Sequence, residues 1–322
     1  MNRQRFRLLS LGLFLSGVLS VTGLAQVPLR LAVVDFKGDE TGAVTALLRK
    51  LAQVQPTDFE LLEPELIRAA AQGAKYAGGL NLQREEARAL GLSLGCDYFW
   101  LGKVQIGRRQ GEGQRQYFEA LLGLFTVETR TGRLVAFNFF REEAATEVEA
   151  RQRLSVSIQH SWSKLAAALF TARDQHRAEV AQAGFLQTPL IEVLNDDQLG
   201  QGAQQPIFYQ RFKPEYTQEA EWAGITATVE LEAVFQADGR VGDVQVTRWA
   251  GFGLDEVALA TVRKLRFKPA QQAGKEVTIR GLVRYNFRRS LSLAERQDEA
   301  ERLKRSLREL KNSGVIVPPR DQ

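Results

Sequence analysis

Between Thr226 and Phe235 the chain alternates with period two: Ala227, Val229, Leu231, Ala233 and Phe235 fall on one face, Thr226, Thr228, Glu230 and Glu232 on the other. Strand side chains point alternately to opposite faces, so this pattern demands a strand with one buried side. Ala237-Asp238-Gly239-Arg240 supplies a hairpin turn, and Val241, Val244 and Val246 lie on a return strand whose alternation falters at Gly242. After the loop Trp249-Ala250-Gly251-Phe252-Gly253, a helix is expected: Leu254, Val257, Ala258, Thr261, Val262 and Leu265 share one face. Asp255 and Glu256 suit the positive end of its dipole, Arg263 and Lys264 the other end, and Pro269 forbids continuation. Val277, Ile279, Val283, Tyr285 and Phe287 then alternate with Thr278, Arg280, Arg284, Asn286 and Arg288, completing a strand-strand-helix-strand unit.

Lys213-Pro214-Glu215-Tyr216, Gly224, Ala237-Asp238-Gly239-Arg240-Val241, Gly253-Leu254-Asp255-Glu256-Val257-Ala258-Leu259 and Arg266-Phe267-Lys268-Pro269-Ala270 occur in that order. Over about Pro206 to Arg289 this set closely resembles the carboxy-terminal domain of TonB. The resemblance implies that the last strand is an open sheet edge that captures an extended peptide of an envelope or outer-membrane protein by β-augmentation. The peptide-binding residues would be Arg280, Leu282, Arg284, Asn286 and Arg288. Arg280, Arg284 and Arg288 recur every four positions and so share the outer face of that strand. Two readings of them stand side by side: they attract an acidic peptide, or they discourage unwanted strand pairing. The apolar stretch Leu8 to Leu24 holds no His and no charge, and the chain has only 9 prolines. It therefore lacks the polar membrane residue and the long proline-rich span of an energy transducer.

In the amino-terminal half, Leu29 to Phe36 is a nearly continuous apolar run, expected as a strand covered on both faces. A helix over Gly42 to Gln53 follows, then a strand at Phe59 to Glu63 and a helix from Glu65, behind Pro64. Asn81 is placed to cap a further helix that stops at Gly91. Strands are expected at Tyr98 to Gln105, Tyr117 to Glu128 and Leu134 to Phe140, the last two joined as a hairpin. One long helix is expected over Ala145 to Ala183, with Leu154, Ile158, Trp162, Leu165 and Leu169 as its buried stripe. Ala32-Val33-Val34-Asp35-Phe36, Glu60-Leu61-Leu62-Glu63, Ala89-Leu90-Gly91 and Gly95 to Gly102 resemble the envelope α/β domains of the TolB amino-terminal part. They are similar also to curli-secretion and penicillin-binding-protein activator lipoproteins. That resemblance implies a binding or scaffolding domain, but the lipidation cysteine of the lipoproteins is absent here.

Arg3, Arg5 and Arg7, the apolar run from Leu8 to Leu19, and small residues at Gly23 and Ala25 have the parts of a secretory signal cleaved after Ala25. At ~17 residues, Leu8 to Leu24 also reaches the lower limit for an uncleaved inner-membrane anchor. Without those three arginines the formal charge of +5 falls to +2, too little over 322 residues to suggest a nucleic-acid partner. The single cysteine, Cys96, sits beside the apolar run Tyr98-Phe99-Trp100 as a small core residue. His160 and His176 fall on nearly opposite faces of the expected helix and cannot jointly bind a metal; with one cysteine and no histidine cluster, no metal site is expected, and no catalytic residue, cofactor or small-molecule substrate is predicted. Asp35, Glu85-Glu86 and Asp196-Asp197 are expected in turns and solvated surface, and Gly111-Glu112-Gly113 in a plain loop.

The expectation is an α+β chain. Residues 1–25 form a signal peptide, 29–183 an α/β mixed-sheet domain with a long helix, 184–205 a linker, 206–289 a TonB-like domain, and 290–322 a charged helix and tail. The function expected is a periplasmic protein-interaction adaptor, not an enzyme. The alternatives are a homodimeric envelope scaffold or a membrane-anchored transducer for outer-membrane transport.

Overall fold

The computed structural model describes residues 27–55, 57–111, 115–183, 194–195, 202–210, 212–289 and 301. The expected signal segment, carboxy-terminal helix and most of the linker lie outside the described residues.

The fold is α+β. Its first half runs β1 (Leu29–Val33), α1 (Ala43–Gln53), β2 (Phe59–Leu61), α2 (Pro64–Gly73), α3 (Arg84–Leu94), β3 (Tyr98–Gln110), β4 (Gln116–Glu128), β5 (Leu134–Ala144), α4 (Glu147–His160) and α5 (Trp162–Ala183). The strands form one mixed sheet in the order β2-β1-β3-β4-β5, parallel around β1 and antiparallel from β3 onward. As a strand covered on both sides, β1 sends Leu31 and Val33 into the core under α1, α4 and α5, and Ala32 into the core on the opposite face.

Three local expectations need correction. The long helix is two helices that part at Ser161. The stripe from Leu154 to Leu169 stays buried across the break, and Trp162 packs edge-on against Trp100 and Phe59, with ring centroids 6.0 and 5.9 Å away. Gly91 does not stop its helix but lies inside it, because a Cβ there would come within 2.9 Å of the Phe99 ring and closer still to Thr129. The stop is Gly95, at φ 69°. Asn81 does not cap that helix either; Gln83 does, in a capping box with Glu86.

The second half comprises β6 (Leu194–Asn195), β7 (Ile207–Gln210), α6 (Gln218–Trp222), β8 (Ala227–Phe235), β9 (Val241–Arg248), α7 (Leu254–Val262), β10 (Arg266–Lys268), β11 (Ala270–Gln272), β12 (Lys275–Val277) and β13 (Ile279–Phe287). Its main sheet has the order β6-β13-β8-β9. Val277 belongs to the small β11-β12 hairpin rather than to the last strand. Two register shifts mark the β8-β9 pair, and the one between Val241 and Val244 matches the faltering alternation near Gly242.

The two halves share one hydrophobic core. The Trp249–Gly253 loop drives Trp249 and Phe252 onto the face of the first sheet, where the Phe125 ring lies 5.4 Å from Trp249 and the Phe137 ring 4.6 Å from Phe252. Gly123 leaves the room: a Cβ there would stand 2.8 Å from the Phe252 ring. Asp255 is turned back from its helix start, and its carboxylate accepts the N–H groups of Ala250 and Gly251 at 2.8 Å each. It shapes the wedge, while exposed Glu256 alone faces solvent in that first turn.

Candidate functional site: the open edge of the last strand

β13 pairs along its whole length with β8, from Ile279 opposite Phe235 to Phe287 opposite Ala227, without a register shift. On its other side β6 covers only Ile279 and Arg280. The Leu194 N–H donates to the Thr278 carbonyl at 3.1 Å, so even-numbered backbone groups of this strand face away from β8. Continuing that alternation, the N–H and C=O groups of Leu282, Arg284 and Asn286 point outward, and no described strand pairs with them.

The face bearing the predicted residues is wet and largely neutral. Arg280 pairs with Glu232 at 3.0 Å, and Arg284 reaches Glu230, its direct cross-strand neighbour, at 2.7 Å. The Thr228 hydroxyl donates to the Asn286 side-chain oxygen, while Leu282 remains 59% exposed. Arg288 lies just beyond the strand, exposed. Two of the three arginines therefore spend their charge on the protein's own carboxylates, a pairing the linear sequence did not disclose.

Glu230 is the hub of this face. Burial pushes its carboxyl up, but hydrogen bonds from Gln83 and Arg284 and the charges of Arg248 and Arg284 outweigh that and hold it below the usual carboxylate range. Gln83 belongs to the first half, so this cluster ties the edge strand to the junction of the two halves.

The opposite side of the edge is apolar. A groove of about 440 Å³ runs between β13 and the β7-β10 ribbon, lined by Phe208, Phe212, Phe235, Val283 and Tyr285. Phe208 and Phe235 meet edge-on at 5.3 Å, and Gly281 keeps the floor open, since a Cβ there would lie 3.2 Å from Phe235. Burial pushes the Tyr285 hydroxyl up in pKa, so it stays neutral. Sequence reasoning missed this groove because Phe208 and Phe212 lie outside the alternating strands, in a segment whose position against β13 depends on tertiary packing. Its one legible signal was Gly281, the small residue interrupting the apolar side of an alternating strand.

Elsewhere, Cys96 is buried, and burial pushes its thiol up to about 11, away from reactivity. His160 ends α4 and His176 lies on α5 beside Arg130 and Glu128. Among the described residues no helix is long and apolar enough to cross a membrane.

Residues 213–288 match the family model for the Gram-negative bacterial TonB protein C-terminal. No curated protein sequence matches the chain. Among solved structures, the Pseudomonas aeruginosa TonB carboxy-terminal domain is 24% identical, covering 27% of this chain and 89% of its own at a TM-score of 0.24. A Neisseria meningitidis lipoprotein is 14% identical, covering 44% of this chain and 99% of its own at a TM-score of 0.30. E. coli LpoB is also 14% identical, covering 37% of this chain and 59% of its own at a TM-score of 0.27. The segment that matches the TonB carboxy-terminal family, residues 213–288, is thus seated on the sheet of the α/β half that precedes it.

Proposed function

We propose that this protein is a periplasmic, non-enzymatic interaction adaptor whose β13 edge binds an extended segment of an envelope or outer-membrane partner by β-augmentation. The observation that carries this reading is the run of outward backbone groups at Leu282, Arg284 and Asn286 beside an apolar groove. Main-chain hydrogen bonds would supply affinity, and the groove would select every second side chain of the added strand. The family match at residues 213–288 supports an envelope setting. With Arg280 and Arg284 already paired, selectivity rests on apolar fit more than on attraction of acidic peptides.

The test is capture of envelope proteins by the full chain and by its Leu282→Pro variant. Leu282 is exposed and its N–H faces outward, so proline removes one docking donor without touching the β8 ladder. Loss of a discrete partner with an unchanged circular dichroism spectrum is expected. Undiminished capture by the variant would contradict the reading.

A further inference from the structure

A cleft larger than the β13 groove lies at the junction of the two halves. It encloses about 690 Å³, within the range of ligand pockets. One wall is Leu134 to Phe137 of β5 and the other is Asp243 to Val246 of β9. Each wall is four consecutive residues of an outermost strand, so both walls are sheet edges rather than sheet faces. Open edges are templates for another extended chain. One end of β9 already shows this: Gln83 forms an antiparallel bridge with Arg248 and so closes the edge beyond Val246.

The charges of the cleft define its occupant. Arg133 pairs with Glu179 at 3.2 Å, whereas Arg84 donates to two neutral acceptors, the Thr131 carbonyl and the Gln245 side chain, which fix its position and leave its charge at that end of the cleft. Asp243 and Glu256 line the same cleft, both exposed, with no cationic partner among the described residues. Trp249 and Leu259 give it an apolar floor. We propose that the cleft between β5 and β9 is a second docking site, for an extended peptide in which lysine or arginine alternates with apolar residues. Its basic side chains would meet Asp243 and Glu256, and its backbone would bridge the two edges. This site is independent of the β13 edge.

The probes are a fluorescein-labelled lysine-valine alternating hexapeptide and its glutamate-valine counterpart, titrated into the full chain and followed by anisotropy and amide hydrogen exchange. The lysine peptide is expected to bind about tenfold or more tighter than the glutamate peptide, and the Asp243→Asn, Glu256→Gln double variant to weaken it about fivefold or more. Both positions are exposed, so the variant should melt like the wild type. Amide exchange should slow at residues 134–137 and 243–246, and Leu282→Pro should leave binding unchanged. Equal binding of the two peptides, insensitivity to the double variant, or protection confined to residues 282–286 would overturn the proposal. So would protection of the cleft that depends on protein concentration without peptide, which would assign it to a second copy of the chain.

Discussion

Asn81 and Thr228 pair through both ends of the asparagine amide: Asn81 Nδ2 donates to the Thr228 carbonyl at 2.8 Å, and the Thr228 N–H donates to Asn81 Oδ1 at 3.0 Å. The side chain imitates a strand's backbone at the start of β8, and its second donated bond reaches the Trp249 carbonyl at 2.7 Å. One residue of the first half thus satisfies three main-chain groups of the second. Without it, partly buried backbone groups lose their partners.

Asn81→Ala should therefore destabilise the whole chain, by about 3 kcal/mol at roughly 1 kcal/mol per lost bond. Urea unfolding followed by tryptophan fluorescence checks this, since Trp249 lies at the junction. Asn81→Asp keeps the acceptor for the Thr228 N–H but sets a carboxylate oxygen against the Thr228 and Trp249 carbonyls, and should destabilise at least as much as Asn81→Ala.

Gly123→Val should disrupt the seat of Phe252, because even a Cβ at that position would stand 2.8 Å from the ring. A loss of about 2 kcal/mol or more is expected, in the range for overpacked cores. Quicker proteolysis between the halves would report the loosened junction.

Arg280→Ser and Arg284→Ser should differ although the two residues look equivalent in sequence. Glu232, the partner of Arg280, is partly exposed, so its loss should cost less than about 0.5 kcal/mol. Arg284→Ser leaves buried Glu230 with Arg248 and Gln83 alone, and should cost about 1.5 kcal/mol. Because the folded-state pKa of Glu230 is lowered, its contribution is present above the usual carboxylate range and is lost as pH falls through the lowered value. Glu230→Gln should flatten that part of an acid-denaturation curve.

Asp255 carries the opposite sign. Burial pushes its carboxyl up from 3.8 to about 7, although the Ala250 and Gly251 N–H groups pull it down. Between those values the folded chain holds a proton that the unfolded chain releases, so stability falls as pH rises from about 4 to about 7 and then levels off. Asp255→Asn removes the titration. Its urea midpoint should change less across that window than that of the wild type.

The strands were legible because their alternation is strong: β8 and β13 begin and end within two residues of where the pattern puts them. Long-range choices were not. Nothing local marks Asn81 as a partner for Thr228, 147 positions away, because capping and bridging asparagines look alike in sequence. The helix break at Ser161 was hidden because the apolar stripe continues through it, with Trp162 filling the space beside Trp100. The positions of Arg280 and Arg284 on a common face were readable from period two. Their neutralisation was not, since it depends on the register of β13 against β8.

Photo-crosslinking in the full chain distinguishes a docking strand at the β13 edge from an unoccupied one. The photoreactive amino acid p-benzoylphenylalanine would replace Leu282 in the full chain, with Val54, exposed at the end of α1, as control. Irradiation in the intact envelope should give a discrete adduct from position 282 and none from position 54, joined to an extended segment of another envelope protein. Adducts that are the same at both positions, or that join only two copies of this chain, would mean that the β13 edge does not dock another envelope protein.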